Sequence, residues 1–182
     1  MDIPLFDLTG RRALITGSSQ GIGLALAEGL AAHGATVVLN GRNTAKLAAA
    51  AARIPHATTA IFDVTDPDAA AAGIAALLAD GPIDILVNNA GMQFRTPLED
   101  FPVDKWQELL TTNVSSLFYV SQPVARAMIA RGRGKIVNIA SVQSELARPG
   151  IAPYTATKGA VRNLTRGMAT DWAKHGLQVN AI

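Results

Sequence analysis

The chain has 182 residues, of which 49% are hydrophobic and 16% are charged, so it is long and apolar enough for one globular domain and unlike a disordered chain. Its formal net charge is only +2, which makes a nucleic-acid partner unexpected, and the lack of cysteine excludes disulfides and thiolate chemistry. The amino terminus is acidic and contains Pro4, and no apolar run reaches membrane-spanning length, so we predict a cytoplasmic protein without a membrane partner.

Apolar runs of strand length alternate with alanine-rich helical segments, the pattern of a parallel sheet that is buried on both faces. We therefore predict a doubly wound, Rossmann-type α/β fold in which a mostly parallel sheet is flanked by helices. The predicted strands are Arg12–Ile15, Thr36–Leu39, Thr59–Phe62, Ile83–Val87 and Lys135–Ile139. The predicted helices are Gly21–Ala32, one that opens at Asp66–Pro67, Val103–Ala130 and Tyr154–Lys174.

Residues 177–182 begin a sixth strand, and no further element follows them in the sequence. A bare edge strand exposes unpaired backbone groups and invites aggregation. We therefore expect residues 1–182 to form a single dinucleotide-binding and catalytic domain that is incomplete at its C-terminus.

A glycine-rich turn, residues 16–23 (TGSSQGIG), links the first predicted strand to the first predicted helix. Gly17 permits a tight turn, Gly21 lets a pyrophosphate approach the backbone, and Gly23 allows close helix packing. The start of the helix offers free amides to anionic oxygen. A tight turn without a ligand is the alternative, but the flanking strand and helix favour a dinucleotide site. The residues that we expect to contact the cofactor here are Gly17, Ser19, Gln20, Gly21 and Ile22.

The end of the second predicted strand indicates which dinucleotide binds. An acid at this point hydrogen-bonds the adenosine ribose when the cofactor is NAD, whereas residues 39–43 (LNGRN) contain no acid. Nothing there repels a 2′-phosphate, and Arg42 offers forked donors to it, so we predict NADP (NADPH). Asp63 and Val64 follow the third strand and are placed to meet the adenine, although Asp63 could serve only the turn before Asp66.

Tyr154 and Lys158 lie four residues apart, so on a helix both side chains point from one face. A phenol can donate a proton to the oxygen of a reduced ketone and remove it in the reverse direction. A neighbouring ammonium in a dehydrated site favours the phenolate. Chance spacing on a half-buried helix is the alternative for the pair taken alone. We expect no metal ion at this site.

Five separated motifs together resemble the short-chain dehydrogenase/reductase family over essentially the whole chain. They are the turn at residues 16–23, Asn88-Asn89-Ala90-Gly91, Asn113, Ser141, and Tyr154-x-x-x-Lys158. The resemblance implies hydride exchange between a nicotinamide and a carbinol carbon, and a homodimer or homotetramer paired through the two long helices. It also implies catalytic roles for Asn113, Ser141, Tyr154 and Lys158, and a cofactor floor that includes Asn89, Ala90 and Gly91, with Tyr154 and Lys158 beside the nicotinamide ribose.

The residue types fit these implied roles. Ser141 can hydrogen-bond and orient the substrate oxygen. Asn113 can position a water that connects Lys158 to solvent, although a polar residue that distorts the helix is its alternative.

Substrate choice is expected in the loops that follow the strands. Arg95 and Arg148 stand in such loops and could clamp a carboxylate, or could form surface pairs with Glu99 or Glu145. Residues 92–95 (MQFR) and 142–146 (VQSEL) resemble the branch of the family that interconverts D-gluconate and 5-keto-D-gluconate with NADP. By that resemblance the substrate is a small sugar acid. The expected substrate contacts are Arg95, Ser141, Gln143, Arg148 and Tyr154.

Two other functions stay open. A 3-oxoacyl carrier-protein reductase shares the catalytic pattern but should favour a basic docking surface, which Arg131 and Arg133 would serve only weakly. If the chain truly ends at Ile182, a non-catalytic NADP-binding or assembly module becomes a third possibility.

Overall fold

The computed structural model describes residues 6–182, in which six strands form one fully parallel sheet. The sheet order is β3-β2-β1-β4-β5-β6. Its strands are β1 (Arg12–Ile15), β2 (Thr36–Gly41), β3 (Thr58–Ile61), β4 (Ile85–Asn88), β5 (Gly134–Asn138) and β6 (Leu177–Ala181). The helices are α1 (Gly21–Ala32), α2 (Thr44–Ala51), α3 (Pro67–Ala79), α4 (Val103–Leu110), α5 (Ser116–Ala130) and α6 (Ala152–Trp172). The predicted doubly wound α/β fold is confirmed.

Two hydrophobic cores cover the two faces of the sheet. Along β1, Ala13 and Ile15 pack into the core beneath α1 and α2, whereas Leu14 packs into the opposite core with α3, α5 and α6. Successive side chains of a strand point to opposite faces, so a strand buried on both sides must be apolar throughout. Burial of one such Leu or Ile side chain stabilises the fold by about 1.5–3 kcal/mol.

The strand order reverses at β1. Strands β2 and β3 are added on one side of β1, and strands β4, β5 and β6 are added on its other side. The connections after β1 and β4 therefore diverge and leave a crevice at the carboxyl ends of these strands. Nine of the predicted cofactor residues line this crevice.

The predicted long helix Val103–Ala130 is not one regular α-helix. A π-helical turn, Thr111–Ser115, separates α4 from α5, and the Ser116 N–H donates to Thr111 O five residues back. A π-turn inserts one residue into a helix and changes the direction of the side chains around it.

The helices differ from the sequence-based expectation in two further ways. Helix α2 was not predicted, although the Asn43 side chain caps it by accepting a hydrogen bond from Lys46 N at 2.9 Å. The last predicted helix ends as an α-helix at Trp172 and continues as a 3₁₀ turn, Ala173–His175, before Gly176 with φ 78°. Neither difference moves a predicted site residue out of its element.

Candidate active site

A cleft of about 880 Å³ opens at the carboxyl ends of the central strands. Most of the expected cofactor residues line it: Gly17, Ser19, Gln20, Arg42, Asp63, Val64, Asn89, Ala90 and Gly91. Gly21 and Ile22 lie in the first turn of α1, and Ile22 is exposed. The residues that the sequence analysis missed on this surface include Asn40, Lys46, Met92 and Thr111.

The glycine turn is held in a backbone shape that other residues would not accept. Gly17 has φ 61°, and a methyl group on it would lie 2.9 Å from the Ala90 Cα. A methyl group on Gly23 would lie 2.6 Å from the Gly17 carbonyl oxygen. Both distances are too short for a Cβ, so Gly17 serves the turn and Gly23 the close packing that the sequence indicated.

Hydrogen bonds lock the glycine turn to the loop that follows β4. Asn89 Nδ2 donates to the carbonyls of Thr16 and Gly17, each at 3.0 Å. In return the buried Thr16 Oγ1 accepts from the backbone N–H groups of Asn89 and Ala90, each at 3.0 Å. The glycine turn and the loop after β4 are therefore held together by four hydrogen bonds. Thr16 was not predicted to have this role, because its partners lie more than seventy residues away.

The end of β2 carries an amide where NAD-binding proteins carry an acid. Asn40 Nδ2 donates to the β3-side carbonyls of Ala60 at 3.1 Å and Phe62 at 3.2 Å. Its backbone N–H donates to Ser18 Oγ at 3.0 Å. Asn40 therefore joins β2 to the glycine turn and to β3 without adding a negative charge to the cleft.

Two cations stand on this side of the cleft. The Arg42 side chain is 75% exposed, and its Nη1 lies 3.2 Å from Asp63 Oδ2. Lys46 Nζ lies 3.4 Å from Gln20 Oε1. Partial burial opposes ionisation of Asp63, but hydrogen bonds from Thr65 and the Arg42 guanidinium hold the pKa of this carboxyl below its usual range. The sequence could have indicated Lys46 as a second cation, since Asn43 is a good N-cap and would place Lys46 in the first turn of a helix beside Arg42.

Tyr154 and Lys158 lie on one face of α6 as predicted. Lys158 Nζ is 5.7 Å from the centre of the Tyr154 ring and donates to Ile139 O at 2.6 Å. Lys158 is only 6% exposed, and this burial lowers the pKa of its ammonium to about 8. A buried cation therefore lies beside the ring of a half-buried tyrosine.

Ser141 begins a short 3₁₀ turn, Val142–Ser144, that is attached to α6. Ser141 Oγ accepts a hydrogen bond from Gln143 N at 3.1 Å, and Ser144 Oγ donates to the carbonyl of Lys158 at 2.9 Å. The side-chain oxygen Oε1 of Gln143 is buried and has no hydrogen-bond partner within residues 6–182. This oxygen lacks the hydrogen bond that buried polar atoms usually form, and a ligand donor would reach it only after the side chain rotates.

Asn113 lies in the π-helical turn, and its buried amide is almost fully used by protein atoms. Oδ1 accepts from Met92 N at 2.8 Å, while Nδ2 donates to Met92 O and to Thr157 Oγ1, each at 3.0 Å. Both amide hydrogens are engaged, so a water held by this side chain would have to donate to Oδ1. The expected water-binding role of Asn113 is therefore restricted to one lone pair.

Gly91 is where the cleft meets the predicted catalytic residues. A methyl group on Gly91 would lie 3.4 Å from Asn113 Oδ1 and 4.0 Å from Lys158 Nζ. The floor of the cleft thus ends directly beside the buried ammonium. The loop after β4 is thus bonded to the glycine turn at Asn89 and Ala90 and lies near Lys158 at Gly91.

The arginines expected to contact substrate stay exposed on their loops. Arg95 Nη2 lies 3.5 Å from Gln93 Oε1. Glu145 pairs with Arg162 at 2.5 Å, and not with Arg148. Within residues 6–182 neither Arg95 nor Arg148 forms the ion pair that the sequence left open.

Arg131, one of the two arginines considered for a docking surface, is bound at the amino end of β4, the end opposite the cleft. Its Nη1 donates to Asp84 Oδ1 at 3.0 Å and its Nη2 to Ile83 O at 2.6 Å. In the part of the chain that the structure describes, no helix is long and apolar enough to cross a membrane. No group of three His, Cys, Asp or Glu side chains in residues 6–182 is placed to hold a metal ion.

Comparisons with known proteins give consistent matches. A family model described as short chain dehydrogenase matches residues 11–182. The chain is 64% identical to gluconate 5-dehydrogenase of Gluconobacter oxydans (strain 621H), over 98% of this chain and 72% of that protein. It is 45% identical to 5-keto-D-gluconate 5-reductase of Escherichia coli (strain K12), with the same two coverages. A gluconate 5-dehydrogenase from Burkholderia cenocepacia J2315, crystallised with NADP and tartrate, superposes with a TM-score of 0.93 at 56% identity, over 97% of this chain and 71% of that one.

Proposed function

Because this chain belongs to the short-chain dehydrogenase family, and so is an oxidoreductase of CH–OH groups, we propose that it interconverts D-gluconate and 5-keto-D-gluconate with NADP. The relatives named for this reaction support the substrate, and the relative crystallised with NADP supports the cofactor. The observation that carries the proposal is the meeting of the cleft floor at Gly91 with Lys158 Nζ, beside Tyr154.

The residues of the cleft fit an NADP molecule. The narrow turn at Gly17 and the free amides at the start of α1 suit a pyrophosphate. Asn40 adds no charge at the end of β2, and Arg42 and Lys46 supply two cations for a 2′-phosphate. Bound NADPH would supply the hydride that reduces the carbonyl carbon.

The side chains around Tyr154 can handle the proton that accompanies reduction. Tyr154 donates it to the substrate oxygen, and the Lys158 ammonium stabilises the phenolate that remains. Ser141 Oγ accepts from Gln143 N, and its own hydrogen is used by no residue among those described, so it can donate to the same oxygen. In the oxidation of the alcohol the same groups act in reverse.

Three side chains are proposed to recognise the sugar acid. After a rotation of its side chain, Gln143 Oε1 can accept from a hydroxyl group, and the exposed Arg95 and Arg148 can each reach a carboxylate. A polyhydroxy acid offers both kinds of group. Arg131 is bonded to Asp84 and to the Ile83 carbonyl, so only the exposed Arg133 of the two arginines is left for an acidic partner, which weakens the rival proposal of a carrier-protein reductase.

We also propose that copies of the chain pair through α4, α5 and α6. Three large apolar side chains on α4 and α5 are exposed: Val103, Trp106 and Phe118, at 82%, 39% and 44%. Exposed apolar side chains on neighbouring helices support an interface between copies.

Oxidation of NADPH, followed by absorbance, tests the proposed substrate. We expect turnover with 5-keto-D-gluconate and little with an acetoacetyl thioester, since the thioester has neither the carboxylate nor the hydroxyls. Turnover of the thioester alone would replace the sugar-acid proposal with the carrier-protein reductase. Tight binding of NADPH without turnover of either compound would support a non-catalytic module.

Tyr154→Phe tests the proton donor. It removes one hydroxyl and little packing, so we expect kcat to fall by at least roughly 100-fold, which general acid catalysis typically contributes, while NADPH binding changes little. Stopped-flow turnover and NADPH fluorescence titration measure the two effects separately. A variant that retains kcat within threefold of the parent chain would refute the role of Tyr154.

A further inference from the structure

Thr157 lies between Tyr154 and Lys158 on α6 and is fully buried. Its hydroxyl donates to the carbonyl of Tyr154 at 2.7 Å. A hydroxyl has one hydrogen, so toward Asn113 Nδ2, 3.0 Å away, Oγ1 can act only as an acceptor. The threonine therefore determines which end of the Asn113 amide faces α6.

This orientation is passed on to the loop beneath the cleft. With Nδ2 turned toward Thr157, Asn113 presents its second N–H to Met92 O and its Oδ1 to Met92 N. The amide thus binds both backbone polar groups of Met92, the residue after Gly91. A rotated or flipped amide would place an acceptor against Met92 O or against Thr157 Oγ1 and lose these bonds.

We propose that Thr157 is a positioning residue for catalysis. Through Asn113 it fixes the distance between Gly91–Met92, on the floor of the cofactor cleft, and the Tyr154–Lys158 pair. The inference rests on the proposed function, since it assumes that the cofactor lies on this floor. Thr157 needs no contact with substrate or cofactor. It acts through its hydrogen bond with Asn113, which links α6 to the π-helical turn.

The same helix provides a matched control. Thr165 is also buried on α6, its hydroxyl also donates to a backbone carbonyl, Val161 O at 2.7 Å, and it also accepts from an asparagine, Asn138 Nδ2 at 2.9 Å. It lies about two turns away from Thr157 and contacts none of the four proposed catalytic residues by hydrogen bond. A purely structural role would make Thr157→Val and Thr165→Val equivalent.

The first experiment compares steady-state kinetics of Thr157→Val, Thr157→Ser and Thr165→Val. We expect Thr157→Val to lower kcat roughly 10- to 100-fold, the range produced by small misplacements at a reactive centre, with a much smaller change in KM for NADPH. Thr157→Ser keeps the hydroxyl and should restore most of kcat. Thr165→Val should lose stability to a similar degree but keep kcat within about twofold. Equal losses of kcat in both valine variants would overturn the proposal.

A second measurement keeps the inference testable if no substrate of the parent chain is found. In a chain labelled with ¹⁵N-asparagine, the Asn113 side-chain amide is assigned by its absence in Asn113→Asp. We expect its hydrogen exchange to accelerate at least about tenfold in Thr157→Val and to stay unchanged in Thr165→Val, because only the former removes its acceptor. Unchanged exchange in Thr157→Val would overturn the positioning role, whatever the outcome for the proposed substrate.

Discussion

Lys158 combines two properties that come from its burial. The side chain is taken out of water, so the ammonium is less stable and its pKa falls from 10.5 to about 8. The same lack of water makes its field on the Tyr154 ring, 5.7 Å away, stronger than it would be at the surface. The residue is thus destabilising for the fold and suited to its proposed chemistry.

The pH dependence of stability tests the burial of Lys158 without nucleotide. Between pH 8 and 10.5 the unfolded chain keeps the Lys158 proton and the folded chain loses it, so the free energy of unfolding should rise with pH in this window. Relative to Lys158→Met, the rise should reach roughly 3 kcal/mol. Urea unfolding at several pH values measures it, with Lys174→Met as the control for a lost exposed lysine. Parallel pH curves for the parent chain and Lys158→Met would contradict the burial.

Arg42 is the residue on which the choice of NADP depends most directly. Its guanidinium is exposed at the end of β2 and is held near the cleft by Asp63 at 3.2 Å. Loss of a hydrogen bond to a charged group costs about 1.5–3 kcal/mol, so Arg42→Ala should weaken NADPH binding roughly 10- to 100-fold and NADH binding little. Arg53→Ala is the control, because Arg53 is an exposed arginine that pairs with Glu28 outside the cleft. Fluorescence titration that shows equal losses for the two nucleotides would make Arg42 irrelevant to this choice.

At the scale of elements, a buried chain of polar side chains joins β4, β5, α5 and α6 below the site. Asn88 Nδ2 donates to Ser121 Oγ and to Asn138 Oδ1, each at 2.8 Å, and Asn138 Nδ2 donates to Thr165 Oγ1. None of these four side chains hydrogen-bonds a proposed catalytic residue. The network ties α5 and α6 to β4 and β5, so we expect it to contribute to stability and not to turnover.

Thr165→Val tests the strength of this network. The valine has a similar shape, but it leaves Asn138 Nδ2 buried with one partner fewer, which costs about 1–3 kcal/mol of unfolding free energy. Thr165→Ser keeps the hydroxyl and should lose much less. Thermal or urea unfolding of the two variants measures the difference, and an unfolding free energy of Thr165→Val equal to that of the parent chain would show that the network adds little.

At the scale of the whole molecule, the cleft is built from both sides of the chain reversal at β1. The glycine turn and Arg42 belong to the half that contains α1 and α2, while Asn89 to Gly91 belong to the half that contains α5 and α6. A nucleotide that contacts both halves must stabilise them together. The pairing of copies, the location in the cell and the boundaries of the domain stay predictions at this scale.

Thermal unfolding with and without nucleotide tests this bridging. A ligand at 100 times its Kd stabilises the folded chain by about 2.7 kcal/mol, which for a domain of this size raises Tm by roughly 5 to 10 °C. We expect NADP to reach this shift at a lower concentration than NAD. Identical shifts for the two nucleotides across the titration would contradict the proposed 2′-phosphate contacts.

The sequence alone determined the sheet, most helices, the glycine turn and the Tyr154–Lys158 pair. These features depend on short-range patterns: apolar runs for buried strands, glycines where the backbone needs them, and a four-residue spacing on a helix. The family assignment, which was predicted from several such patterns in the right order, is confirmed by the family model that matches residues 11–182. The roles of the individual site residues stay predictions, with their positions now defined.

Only the tertiary structure decided which polar groups satisfy one another. It assigned Arg131 to Asp84, turned Asn113 toward Met92 and Thr157 through a π-helical turn, and locked Thr16 to the loop after β4. The partners in these bonds are 21 to 74 residues apart. Spacing along the chain cannot predict them, because hydrogen-bond geometry is set within tenths of an ångström by how the helices dock on the sheet.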